Sequence, residues 1–271
     1  MPGRAPPPIA ELPPLRLRRC RHGLMLFPAA DIYIGRSLDL YGEYSESEAS
    51  LLCRVVEPGQ TALDIGANIG TLTLPLARRL GARGRLIAVE PHPALSQLLR
   101  TNLAINQLDH AEIVAAAMGA APGRMTAPAL DFGQKGNFGQ VELRPFDGGG
   151  QIETRTVDGL DLPSCQLIKI DVEGMELDVL NGAAATIARH RPLLYVENDR
   201  RARSPALIDA LLSLDYRLFW DRPPLYNRDN FYGVGDNVFG TIASRNMFCF
   251  PREQERRVIG GIEATSPEAW I

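Results

Sequence analysis

The sequence holds little that would commit it to a specialised environment. Only four of its 271 residues are cysteine (Cys20, Cys53, Cys165 and Cys249), and no two form a C-x-x-C pair. That scarcity and spacing argue against a disulfide framework and a thiolate zinc site. They point instead to reduced, packed thiols in a cytoplasmic protein. Histidine is equally scarce, at four, and no two histidines have metal-ligand spacing. No apolar run is long enough to span a bilayer, and the Pro-rich stretch 1–14 lacks the apolar core of a signal peptide. Neither charge sign dominates: the formal net charge is −3, so no global basic field suggests nucleic acid or an anionic membrane as a partner. There is no internal repeat. What is present, 45% hydrophobic and 23% charged residues, suits a globular chain able to bury a large core.

Residues 1–20 read as a flexible Pro-rich tail carrying a basic cluster, Arg16, Arg18 and Arg19. Residues 21–58 read as a flank before the core. In it, 24–27 and 32–34 suggest a hairpin, and 45–57 a helix with Ala49, Leu52, Cys53 and Val56 on one face. Ser45 followed by Glu48 has the spacing of a capping box. From 59 to 252 strand and helix patterns alternate, which predicts one domain built on a mostly parallel sheet covered on both faces. Residues 123–157 interrupt the alternation and suggest an inserted hairpin with a glycine-rich loop over 131–151. Residues 253–271 read as a C-terminal tail.

The richest stretch is 61–70. Thr61-Ala62-Leu63-Asp64-Ile65 has the composition of a buried strand and runs into Gly66-Ala67-Asn68-Ile69-Gly70. Leu72, Leu76, Ala77 and Leu80 then recur at helical spacing, and the next apolar run, 86–89, ends in Glu90. A strand, a glycine turn, a helix and a strand ending in an acid describe a βαβ unit that holds a nucleoside. Gly66 and Gly70 let backbone approach a ligand. The free N–H groups at the helix start face an anionic group, and Glu90 offers two acceptor oxygens to a ribose.

Dinucleotide sites usually show G-x-G-x-x-G, whereas the pattern here is Asp64-x-Gly66-x-Asn68-x-Gly70. It resembles the first motif of S-adenosylmethionine-dependent methyltransferases. Together with Val89-Glu90-Pro91-His92-Pro93 and Ile168-Lys169-Ile170-Asp171-Val172-Glu173-Gly174, the chain resembles the FkbM-type methyltransferases. Tyr41-Gly42-Glu43 upstream and Val196-Glu197 downstream fit the same family, so the resemblance covers roughly 41–198. It implies an α/β class I methyltransferase (Rossmann-like) fold. That fold is a mostly parallel seven-stranded sheet with helices on both faces, here with an N-terminal lid and an inserted hairpin. It also implies S-adenosyl-L-methionine as donor and mostly O-methylation of sugars, glycan or glycolipid precursors, or natural products. In that frame Asp64 faces the cofactor's amino group, Gly66, Asn68 and Gly70 run under its methionine moiety, and Glu90 binds its ribose. Pro91 and His92 lie beside the adenosine, Ala117 lines the adenine pocket, and Glu43 closes over the cofactor from the lid.

Methylating a hydroxyl requires removal of its proton. Asp171 and Glu197 stand where strands end, outside the sheet's carboxyl edge, and are the candidate catalytic groups. Glu173 reads as a helix cap and Lys169 as a structural partner. Asp171, Glu197 and Asn198 have the oxygen-only character of a Mg²⁺ site, by analogy with catechol-type O-methyltransferases. The loop 131–151 and the aromatic stretch 226–232 are candidate walls for a small-molecule or glycan acceptor. Two other readings stay open: a nicotinamide-dependent oxidoreductase, and a non-catalytic nucleoside-binding module. No feature sets the oligomeric state.

Overall fold

The computed structural model describes residues 5–145, 147, 150–254 and 261–271. In chain order the elements are β1 (Ala10–Leu12), β2 (Leu15–Cys20), β3 (Gly23–Pro28), α1 (Ile34–Tyr41), α2 (Glu46–Val55), β4 (Thr61–Ile65), α3 (Thr73–Leu80) and β5 (Arg85–Val89). Next come α4 (Pro93–Ile105), β6 (Ala111–Val114), β7 (Ala117–Met118), β8 (Gly123–Thr126), β9 (Arg144–Pro145), β10 (Gln151–Arg155) and β11 (Leu167–Ile170). The chain continues through α5 (Glu176–Asn181), α6 (Ala184–His190), β12 (Leu193–Glu197), α7 (Ser204–Ser213), β13 (Tyr216–Asp221), β14 (Asn246–Pro251) and β15 (Ile262–Ala264).

The central sheet has the order β15-β13-β14-β12-β11-β4-β5-β6. Strands β12, β11, β4, β5 and β6 are mutually parallel, and β14 runs antiparallel between β12 and β13. Without β15 this is the seven-stranded class I methyltransferase arrangement. The eighth strand comes from the segment expected to be a tail: Trp220 pairs with Ile262, and Ala264 is buried. β4 and β11 are buried along their whole length, because helices cover both faces. Leu52, Leu76 and Leu99 of α2, α3 and α4 pack on one face with Ala62 and Leu86. Val179, Ile187 and Ile208 of α5, α6 and α7 pack on the other with Leu63 and Ile168.

The N-terminal expectations change most. Residues 10–20 are not a loose tail: β1, β2 and β3 form a three-stranded antiparallel sheet, and Arg16 and Arg18 pair with Asp39 of α1. The expected hairpin is also rearranged. β3 pairs with β2 rather than with 32–34, and Ile34, Leu38 and Tyr41 instead recur at helical spacing as the buried face of α1. The interrupted region 117–155 forms a second sheet, β7-β10-β8-β9, beside the main one. Three of the four cysteines are buried and all four are free.

Candidate active site

The parallel strands end around one cavity of about 320 Å³, a size suited to a small molecule. Its floor is the turn after β4. Gly66 has φ +82°, and a Cβ there would lie 1.7 Å from the carbonyl oxygen of Asp171. Only glycine lets the turns after β4 and β11 touch. Both Gly66 N and Ala67 N donate to Val89 O at 2.9 Å. Asn68 takes φ +50° and is held on three sides. Its N–H donates to Glu90 Oε2 at 2.9 Å, its Oδ1 accepts from Ile69 N at 2.7 Å, and its Nδ2 donates to Phe138 O at 3.2 Å. Gly70, at φ +96°, is packed under Leu99 and does not reach the cavity wall.

Glu90 faces the cavity and is 5% exposed. Its Oε1 accepts from His92 N at 2.8 Å. Burial pushes its carboxyl up to about 7, against the opposing pull of the His92 and Asn68 N–H groups. Each oxygen has one N–H partner and keeps lone-pair capacity for a ligand hydroxyl. Pro91, His92 and Ala117 line the same cavity. The His92 nitrogens are engaged within the protein: Nδ1 accepts from Ala94 N at 3.2 Å to cap α4, and Nε2 lies 3.0 Å from Pro128 O.

Asp64 is placed differently from its expected role. It is fully buried and absent from the cavity wall. Thr73 Oγ1 donates to its Oδ2 at 2.6 Å, and Lys169 Nζ lies 3.1 Å from its Oδ1. The cause is register: Asp64 and Lys169 are direct partners on neighbouring parallel strands, so their side chains share a face. Lys169 also donates to Gly66 O at 2.7 Å and lies 3.6 Å from Asp171 Oδ2. Burial alone would lower its pKa, but Asp64, Asp171 and Glu48 outweigh burial and raise it, so it stays charged.

Glu43 is likewise no cofactor contact. It is 4% exposed and clasps three segments together. It accepts from Arg21 Nε at 2.6 Å, Asn227 Nδ2 at 2.8 Å and Phe231 N at 2.8 Å. The stretch 226–232 serves this clasp rather than the cavity, and Tyr226 packs edge-to-face on Tyr41. From 131–151, Asn137, Gly139, Gln140, Val141 and Leu143 do reach the wall.

Beyond the turn, Asp171, Glu173 and Glu197 bring carboxylate oxygens within 4.8 Å of one another. Asn198 is not in this group. It follows Glu197 in extended backbone, so its side chain points to the opposite face, where Nδ2 meets Met247 Sδ at 3.2 Å. Glu173 takes the place expected of Asn198, and the cap for the turn before α5 is Glu176, which accepts from Gly174 N at 2.8 Å. Burial, then the charges of Asp171 and Glu173, push the Glu197 carboxyl well up. Glu197 Oε2 is buried with no partner among the described residues. Burial, then Asp171, raises Glu173 to about 8, although Arg200 lies 2.9 Å away and opposes the rise. Glu48 of α2, itself buried, adds a fourth acid to the cavity, also raised to about 8 through burial and then Asp171. The expected capping box is not made: Ser45 is left-handed at φ +47°, its side chain caps no backbone N–H, and its hydroxyl donates to Glu48 Oε2 at 2.8 Å instead.

The glycine turn, Glu90 and the carboxylate cluster sit within a stretch that matches a known family: residues 64–218 match the methyltransferase FkbM domain. The chain belongs to the FkbM family of S-adenosylmethionine-dependent methyltransferases. No curated protein matches it. Among solved structures it is similar to an FkbM methyltransferase from Methylobacillus flagellatus, at 20% identity and TM-score 0.49, over 74% of this chain and 50% of that one. A Thermotoga maritima S-adenosylmethionine-dependent O-methyltransferase aligns at 14% identity and TM-score 0.44, over 79% and 66%. Aeropyrum pernix fibrillarin, with natively bound S-adenosyl-L-methionine, aligns at 13% and 0.44, over 87% and 94%. The chain thus spans half the length of the Methylobacillus flagellatus FkbM protein. The FkbM match includes Glu90, Lys169, Asp171, Glu173 and Glu197, whereas Glu48 and Arg245, which also wall the cavity, lie outside it. No helix among the described residues is long and apolar enough to cross a membrane.

Proposed function

We propose that the protein transfers the methyl group of S-adenosyl-L-methionine to a hydroxyl of a sugar, glycan, glycolipid or natural-product acceptor. The observation that carries this reading is the shared cavity, with Glu90 as a buried diol acceptor on one side and the Asp171–Glu173–Glu197 cluster on the other. The adenosine lies along Glu90, Pro91, His92 and Ala117, and the methionine end over Gly66 and Asn68. The acceptor oxygen attacks the methyl carbon in line as the sulfur–carbon bond breaks, and the hydroxyl proton passes to a carboxylate. Positioning and exclusion of water provide much of the acceleration, because the sulfonium is already activated. Of the three clustered carboxylates, Asp171 is the one paired with Lys169, at 3.6 Å, and it is the first candidate to take the proton. Glu197 and Glu173, raised by burial and mutual repulsion, hold an acceptor hydroxyl or take its proton when ionised. The same three carboxylates, with Glu197 Oε2 unpartnered, are a donor set suited to Mg²⁺. When bound, the ion would lower the acceptor's pKa.

The test is a ligand panel followed by turnover. S-adenosylhomocysteine should raise the melting temperature, and labelled methyl should appear on hydroxyl-bearing acceptors. Stabilisation by NAD with no response to S-adenosylhomocysteine would establish the oxidoreductase reading instead. Cofactor binding with no transfer to any acceptor pool would establish a binding module. Activity unchanged after exhaustive EDTA treatment would remove Mg²⁺.

A further inference from the structure

The cavity carries a cation that none of these roles uses. At the start of β14 the wall is closed by Ser244, Arg245 and Asn246. The other charged donors near this end are engaged. Lys169 pairs with Asp64 and Asp171, and Arg200 bridges Glu142 and Glu173. Among the described residues no carboxylate lies within 4 Å of the Arg245 guanidinium, although Glu197 and Asp199 stand on the same wall. Its Nε is buried and without an acceptor. The charge is held by packing instead. The guanidinium lies 5.6 Å from the centroid of the Trp270 ring. Trp270 is anchored edge-to-face on Trp220, whose Nε1 donates to Ala269 O at 2.8 Å. The Arg245 backbone is pinned through its carbonyl, which accepts from Asn198 N at 2.8 Å, one residue beyond Glu197.

A guanidinium cannot shed its proton, so a desolvated N–H on it demands an acceptor. Its planar fork, set against an aromatic face, matches the two oxygens of a carboxylate or phosphate. Ser244 and Tyr44 also line the cavity. An anion here would sit across the carboxylate cluster from the Glu90 cradle. In the strand order Glu90 follows β5 whereas Arg245 precedes β14 on the far side of β12. We propose that Arg245 binds an anionic group, carboxylate or phosphate, carried by the methyl acceptor, so that the preferred acceptors are acidic. This rests on the methyltransferase reading above.

Isothermal titration of the S-adenosylhomocysteine-saturated full chain tests it with three probes: methyl β-glucuronide, glucose 6-phosphate and neutral methyl β-glucoside. At least one charged probe should bind about tenfold or more tighter than the neutral one. Arg245→Gln should abolish that preference, and Arg245→Lys should keep part of it. S-adenosylhomocysteine affinity should be unchanged in both variants, which also confirms that they fold. Which charged probe wins separates carboxylate from phosphate. Equal binding of charged and neutral probes by the wild type would overturn the proposal. So would a matching loss of S-adenosylhomocysteine affinity in Arg245→Gln, which would assign the residue to the cofactor's own carboxylate. If the wild type does not bind S-adenosylhomocysteine at all, the methyltransferase reading itself fails, and this proposal with it.

Discussion

Glu90 allows a quantitative test of the cofactor cradle. Its carboxyl is raised from an ordinary 4.5 to about 7 because it is buried, with the His92 and Asn68 N–H groups only partly offsetting the burial. A ribose diol donates both hydroxyls to the ionised carboxylate, so a bound nucleoside lowers this pKa. Binding must then release a proton wherever the free protein holds one. If the bound pKa falls to about 5 or below, affinity drops about tenfold between pH 8 and pH 6, roughly 1.4 kcal/mol. The cleanest ligand is adenosine, which carries the diol and no charge and so leaves the Asp171 cluster unaffected. Titration in buffers of different ionisation enthalpy counts the protons. Nearly one should be released at pH 6 and almost none at pH 8, and Glu90→Ala should lose both the pH dependence and about 1–3 kcal/mol of binding. The stability sign is opposite. A carboxyl whose folded pKa is raised contributes stability fully present below 4.5 and lost as pH rises through about 7. The free protein should therefore melt lower at pH 8 than at pH 6, and the shift produced by S-adenosylhomocysteine should grow over that range. Adenosine affinity that is flat from pH 6 to 8, with no proton release, would refute this placement of the ribose.

Asp171→Asn should depress turnover far more than S-adenosylhomocysteine affinity, measured by single-turnover transfer and titration; equal losses in both would merge the two halves of the site. Lys169→Met should leave Asp64 buried without its counter-ion, at a cost of about 3–5 kcal/mol, visible as a lower melting temperature, and an unchanged melting temperature would contradict the buried pair. Glu43→Ala should release the contacts to Arg21, Asn227 and Phe231. It should speed proteolytic cleavage within 221–245 while sparing adenosine affinity, whereas a selective loss of adenosine binding would return Glu43 to the cofactor.

The parts of the site visible in the sequence are those made by contiguous chain. The β4 run, the Gly66 turn and the strand-end Glu90 lie within one βαβ unit, and period, glycine placement and strand termination all mark it. Asp171 and Glu197 were visible for the same reason, as acids closing apolar strands. The misplacements share a cause as well. Asp64 reads as a ligand contact in the sequence because nothing local reveals that Lys169, more than one hundred positions later, lies beside it in register. Glu173 rather than Asn198 joins Asp171 and Glu197, because one step along extended backbone from Glu197 turns Asn198 to the opposite face. The 10–20 region reads as a tail because its prolines mask two short strands, which pair with each other and, through the second, with 23–28.

Glu48 and Arg245 had no local signal at all. One is a glutamate on an ordinary helix and the other an arginine in a loop, and only folding aims both into the cavity. Motif resemblance thus pointed to the family, and local composition and period marked the Gly66 turn, the strand-end Glu90 and two of the three clustered carboxylates. Tertiary structure decided which acids line the cavity and which pair with lysine, how burial raises Glu90, Glu173, Glu197 and Glu48, and that Arg245, with no carboxylate within 4 Å among the described residues, lines the same cavity. Those outcomes depend on strand register, on the side of the sheet a residue occupies and on how much water reaches it, all of which are set by residues distant in the chain.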